Sequence, residues 1–169
     1  AAYSEADNYY ALFHPSLPNY LAMIGATNGG IEQTCAPGPG CELTGRSIVD
    51  EIEKSNRSWK GYMESMPTAC GLHSEGQYAV RHNPFVYYKT LTNDLQRCQL
   101  HDVPLDRLFK DLESNKLPNY SFISPNLCND MHDCPVSTGD KWLANIVPKI
   151  LNSTTFKTKK ALLIITWDE

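Results

Sequence analysis

The sequence predicts an α/β fold, a layered αβα sandwich with a mainly parallel central sheet. Three observations carry this. From residue 58 onward, strand-like and helix-like segments alternate in the order of a layered α/β protein. Residues 161–167 form a continuous apolar, β-rich run, the pattern of a parallel strand buried on both faces. Residues 14–25 place a histidine and a serine where a strand-to-helix turn would lie, at the end of such sheets where ligands bind.

Taken in order, residues 9–13 are expected to end a first strand. Leu17, Leu21 and Ile24 recur at helical spacing, Pro18 suits a first helical turn, and Gly25 closes the run. Ser16 therefore sits at or near a helix N-terminus, where unpaired amides and the helix dipole favour an anion. The plainer reading of Ser16 is a helix cap. Asn28-Gly29-Gly30 and Pro37-Gly38-Pro39-Gly40 mark a surface loop. Residues 44–55 read as a helix with Ile48 and Ile52 inward and Asp50, Glu51 and Glu53 outward. Residues 58–63 read as a strand, and 69–98 as a polar excursion over one edge. A helix over 105–112 follows Pro104, then a strand over 119–124 ended by Pro125-Asn126. The 140–151 helix turns Trp142, Leu143, Ile146, Val147 and Ile150 inward, with a kink expected at Pro148.

At 169 residues the chain is the size of a single domain, and 41% hydrophobic with 20% charged residues is a globular balance. A net charge of −4 without a basic cluster argues against general nucleic-acid binding. No apolar run approaches membrane-spanning length. The chain opens without Met or a signal peptide, which predicts a processed or partial chain. Cys35 with Cys41 and Cys128 with Cys134 bracket short loops, leaving Cys70 with Cys98 for a longer one. Six cysteines admit other pairings, and CxxC metal spacing is absent. Asn56, Asn119 and Asn152 begin Asn-X-Ser/Thr sequons, and with the cysteines they favour an oxidising compartment.

The sheet rule selects three clusters: Ser16, the Asp130-Met131-His132-Asp133 turn after the 119–124 strand, and Asp168-Glu169 at the end of the apolar run. Carboxylate pairs suit a divalent cation such as Mg²⁺, Ca²⁺, Mn²⁺ or Zn²⁺, or are simply solvated. His132 and its acids suit metal or phosphate oxygens, with a surface acidic turn as the alternative. Arg81 beside His82 suits an anion, whereas His73 and His101 read as solvated. A hydroxyl at a helix N-terminus, carboxylates for a cation and histidines able to donate to an oxyanion are the parts of phosphoryl transfer through a phospho-serine.

Six stretches in one order carry a resemblance: HPSLPNYLAMIGA (14–26), SWKGYMESMP (58–67), RHNPFVYY (81–88), FISPNLCNDMHDC (122–134), GDKWLANIVPKIL (139–151) and LLIITWDE (162–169). They cover nearly the whole chain and resemble the phosphoesterase family of acid phosphatases and phospholipases C, of the alkaline-phosphatase-like superfamily. The resemblance implies Ser16 as nucleophile, with Asp168, Glu169 and Ser16 as ligands of one or more divalent metal ions. It implies His132, His82 and His14 at the phosphate and Asn19, Arg81 and Asp130 as substrate contacts. The substrate it implies is a small phosphate monoester, and the setting a secreted, periplasmic or cell-surface one. Family members carry a further Glu-Asn metal-ligand pair upstream, and Asp7-Asn8 lies too near Ser16 to be it. The expectation is therefore one partial phosphoesterase domain over 1–169, truncated at both ends, with little activity by itself. Phospholipase C-like diester cleavage and a secreted non-catalytic binding module are the competing readings, and the oligomeric state stays open.

Overall fold

The computed structural model describes residues 3–169. Its centre is an all-parallel sheet of β1 (Trp59–Met63), β2 (Asp102–Pro104) and β3 (Tyr120–Ser124) in the order β2-β1-β3. Gly61 to Met63 pair with Asp102 to Pro104, and Trp59 to Met63 with Tyr120 to Ser124. Around it, in chain order, lie α1 (Ser16–Gly25), α2 (Ile48–Lys54), α3 (Lys89–Thr92), α4 (Leu95–His101), α5 (Asp106–Glu113), α6 (Val136–Leu151) and α7 (Thr154–Thr158). Two 3₁₀ turns, Val80–His82 and Pro84–Tyr87, precede α3.

The pleat of β1 explains the layers. Trp59 and Met63 enter one core with Leu17, Leu21 and Val49, whereas Tyr62 enters a second with Leu108, Ile146 and Ile150. Both faces of the sheet are thus covered, as a parallel sheet requires. Gly61 lets the first core close: a Cβ there would lie 2.4 Å from Phe85 Cε2. On the second face, Asp111 of α5 accepts from Lys60 Nζ at 2.5 Å and from the Tyr62 hydroxyl at 2.8 Å. Three disulfides form, Cys35–Cys41, Cys70–Cys98 and Cys128–Cys134.

Several expectations are corrected. Residues 161–167 form no strand, and Leu162, Ile164, Ile165 and Trp167 are exposed. Strand propensity expresses fit to a paired, packed surface, and this run pairs with neither edge strand. Residues 9–13 are likewise irregular rather than a strand. The 69–98 stretch is not simply an excursion: residues 72–77 are exposed, but Tyr78, Phe85, Tyr87 and Tyr88 are all buried in the core. The three tyrosine hydroxyls find backbone acceptors, Tyr78 on Gly71, Tyr87 on Cys35 and Tyr88 on Leu21, so these rings enter without an unpaired group. In α2 the faces are rotated. Ile48 is 42% exposed, while Asp50 is buried with Ser47 and Arg97 as partners. Ser47 and Asp50 form a capping box that starts the helix later than expected. β2 has no independent sequence signal, and α6 begins at Val136 and continues through Pro148. His101 is not simply solvated, for its ring stacks on Trp59 at 4.8 Å.

Candidate active site

A cavity of about 400 Å³ opens at the carboxyl end of the sheet. Five segments build it: the start of α1, the first 3₁₀ turn, the loop after β3, the start of α6, and residues 167–169. Ser16 is the first residue of α1, behind the cis His14–Pro15 peptide, and is buried. Pro15 and Pro18 carry no N–H, so Ser16 and Leu17 provide the unpaired amides of this helix end. Ser16 Oγ donates to Glu169 Oε1 at 2.9 Å, and His14 Nδ1 meets the other oxygen, Oε2. One carboxylate therefore spans the serine and the histidine that flank Pro15.

The loop after β3 is shaped by Glu64, which follows β1. Its carboxylate accepts from the Asn126 N–H at 2.9 Å, from Asn129 Nδ2 at 3.0 Å and from Trp142 Nε1 at 2.9 Å. The Cys128–Cys134 disulfide closes the same loop. Within it, the Asp130 carboxylate accepts from the His132 N–H at 2.8 Å. His132 Nδ1 lies 2.7 Å from Asp133 Oδ1 and its Nε2 lies 3.3 Å from Arg81 Nη2. Asp133 thus selects the Nδ1–H tautomer and leaves Nε2 to accept from the guanidinium.

Deeper in the cavity, the His82 ring stacks on Tyr20 with centroids 4.9 Å apart. His82 Nδ1 lies 3.0 Å from Asp130 Oδ2, yet neither atom makes an aligned hydrogen bond. His82 Nε2 and Asp168 Oδ2 are buried and unpartnered as well. Burial first, then the Asp168 carboxylate, pushes the Tyr20 phenol above its ordinary range, so it stays protonated. Unpaired buried oxygens and an imidazole on one cavity are the donor chemistry a divalent cation takes, because such groups are costly without a partner. The cavity donors suit a cation without being drawn together into a tight cage. Among the described residues, only Cys70, Cys98 and Asp102 bring three potential ligand atoms within 4.8 Å of one another. Those two sulfurs are joined in a disulfide and are not thiolate ligands.

Of the residues expected at the site, Ser16, His82, Asp130, His132, Asp168 and Glu169 line this cavity. His14 and Arg81 reach it through Glu169 and His132. Asn19 is used differently. Its Oδ1 accepts from the Leu12 and Phe13 amides at 3.0 Å, and Nδ2 donates to the Phe13 and Pro15 carbonyls. No donor or acceptor of that amide is left for a substrate, so Asn19 fixes the turn that presents Ser16. Sequence reasoning passed over Tyr20 and Glu64. Tyr20 lies four residues after Ser16, one helical turn along the same face, and Glu64 is an acid at the carboxyl end of a strand.

Comparison with known proteins gives a family match and several relatives. The model of a family described as the phosphoesterase family matches residues 1–169. A phosphate-repressible acid phosphatase of Penicillium chrysogenum is 31% identical across 96% of this chain and 40% of its own length. An acid phosphatase of Aspergillus fumigatus is 31% identical across 96% of this chain and 37% of its own length. A phosphatidylinositol-3-phosphatase of Mycobacterium tuberculosis is 33% identical across 95% of this chain and 50% of its own length. The chain therefore spans half or less of each of these relatives.

Proposed function

Since this chain belongs to the phosphoesterase family, we propose that it carries the nucleophile half of an active site that hydrolyses phosphate monoesters. The observation that carries this reading is the Ser16 hydroxyl, donating to Glu169 on the wall of a cavity whose other polar groups are buried without partners. In this reading Ser16 Oγ attacks phosphorus as its proton passes to Glu169 Oε1, 2.9 Å away. The phosphorus–ester oxygen bond breaks, the leaving oxygen takes up the proton held by Glu169 and departs as the alcohol, and the phosphoryl group stays on Ser16. Water then attacks phosphorus, breaks the bond to Ser16 Oγ and releases inorganic phosphate. The helix end supplies the Ser16 and Leu17 amides to the phosphoryl oxygens. Arg81, joined to His132 Nε2, adds positive charge at the rim. His82 and the protonated Tyr20 offer donors deeper in the cavity. A divalent cation held by Asp168, Glu169 and Ser16 would neutralise charge on the transferring group and favour loss of the serine proton.

Val136 and Trp167 on the cavity wall are 73% and 54% exposed. They suit a substrate whose alcohol is apolar or aromatic, and favour monoester over phosphatidylcholine diester cleavage only through the acid phosphatase likeness. Three disulfides fit a protein that matures in an oxidising, extracytoplasmic compartment. The test uses a protein of the length of its curated relatives. Ser16→Ala is expected to cut kcat on p-nitrophenyl phosphate by about a thousandfold or more, and acid quenching of the unaltered enzyme to trap phosphate on Ser16. Turnover that survives the substitution would remove Ser16 from the role of nucleophile.

A further inference from the structure

The three sequons noted in the sequence gather at the end of the molecule away from the cavity. Asn56 lies three residues before β1, and Asn119 directly precedes β3, so both stand at the amino-terminal edge of the parallel sheet. Asn152 is the C-cap of α6. That helix begins beside the cavity at Val136 and runs back over 16 residues, a distance of about 24 Å. Just beyond it, Thr155 Oγ1 donates to Asn115 Oδ1 at 2.8 Å, in the turn that leads into β3. The cavity, by contrast, lies past the carboxyl ends of the strands.

The local geometry separates the three. Asn56 is exposed, in a left-handed turn of φ 57° just past the end of α2. Asn152 is exposed at a helix end, followed by Ser153 and Thr154. Asn119 has its side-chain oxygen engaged in the folded chain: Oδ1 accepts from the Ser58 N–H at 3.1 Å and from the Ser58 hydroxyl at 3.2 Å, and Ser58, the third residue of the Asn56 triplet, stays exposed. The hydroxyl of its triplet, Ser121 Oγ, is buried within β3 without a partner.

We propose that Asn56 and Asn152 carry N-linked glycans, which make the amino-terminal pole of the sheet a sugar-covered face and leave the cavity mouth bare. The reaction takes an oligosaccharide carried on a polyprenyl diphosphate. The asparagine amide nitrogen bonds to the first sugar's anomeric carbon, the carbon–oxygen bond to the diphosphate breaks, and one amide proton is lost as the polyprenyl diphosphate leaves. The three disulfides fit maturation in an oxidising compartment, and in a eukaryotic secretory pathway that compartment also holds this donor. Nothing in this depends on the chemistry of the cavity.

The test is secretion of the full-length protein from a glycosylating eukaryotic host, followed by peptide-N-glycosidase release in ¹⁸O water. Expected are two downward steps in mobility and ¹⁸O-marked aspartate at positions 56 and 152 by peptide mass spectrometry. Asn56→Gln and Asn152→Gln should each remove one step. Where a variant fails to be secreted, the mass spectrum of the unaltered protein decides. An absent mobility shift, or sugar attached at Asn119 alone, would overturn the proposal.

Discussion

Asp102 is the buried acid from which the sharpest test of this structure can be worked. It is fully buried in β2, where Asn83 Nδ2 donates to its Oδ2 at 2.7 Å and its Oδ1 has no partner. Burial raises its pKa from 3.8 to about 7, and the Asn83 hydrogen bond offsets only part of that. The folded protein therefore keeps a proton that the unfolded chain releases. Stability from this group is complete below about pH 4, declines as pH rises, and is lost above the folded pKa near 7. The span is about 3 pH units, or about 4 kcal/mol. Asp102→Asn keeps shape and an acceptor for Asn83 but cannot ionise. The substituted amide N–H stays unpaired, so the variant is less stable by about 1–2 kcal/mol at pH 4. By pH 8 it should be the more stable protein. For a chain of this size the difference in Tm should change by roughly 10 °C between pH 4 and pH 8. Thermal melts of both proteins by circular dichroism across that range measure it. Melting curves that stay parallel with pH would refute the buried, protonated Asp102.

Three further outcomes follow from the cavity and its supports. Removing divalent ions with a chelator should abolish phosphomonoester turnover by the full-length protein, and adding back a divalent cation should restore it, as phosphate release will show. Gly139→Ala should lower activity more than stability. Its Cβ would lie 2.5 Å from Met131 Cγ and 3.0 Å from the Asn129 carbonyl, which displaces the loop carrying Asp130 and His132. Comparing kcat with the urea midpoint checks that ratio. Gly61→Ala should do the reverse, costing about 1–3 kcal/mol by overpacking against Phe85, read as a lower urea midpoint without a specific loss of kcat per folded molecule.

Local chemistry was legible in the sequence where a residue's neighbours along the chain decide its fate. The α1 helix, β1, β3 and most of α6 follow from spacing and punctuation, and so do the short-range disulfides. The meeting of Ser16 with Glu169 was predicted from the rule that strand ends converge. That rule brought Ser16 and Glu169 together even though residues 161–167 form no strand, because the position of Glu169 in space mattered more than strand pairing. What escaped was set by tertiary contact. Phe85, Tyr87 and Tyr88 follow no period, so nothing local marks them as core until Trp59, Gly61 and Phe122 are seen against Phe85. Asp50 looks like a surface acid until Arg97 arrives from far along the chain, at 2.9 Å. Burial alone would raise Asp50, but the Ser47 N–H and the Arg97 guanidinium outweigh it and hold its carboxyl below the usual range.

The same distinction explains how the loop after β3 is held. A loop bearing Asp130, His132 and Asp133 has no regular ladder to fix it, and a connecting segment of this kind is mobile unless it is tied down. Two unrelated restraints act on it instead. Cys128–Cys134 joins its limbs covalently, while Glu64 takes donors from Asn126 and Asn129 at its base and from Trp142 on α6. Glu64 is thereby the link between the central strand and the cavity wall, since its own N–H bonds to the Ser124 carbonyl at 2.9 Å. Its role is to orient the loop, since the donors to its side chain come from the loop itself and from the helix beside it. The loop's acid and imidazole groups are thus positioned before a ligand arrives, so less of the binding free energy is spent in ordering them.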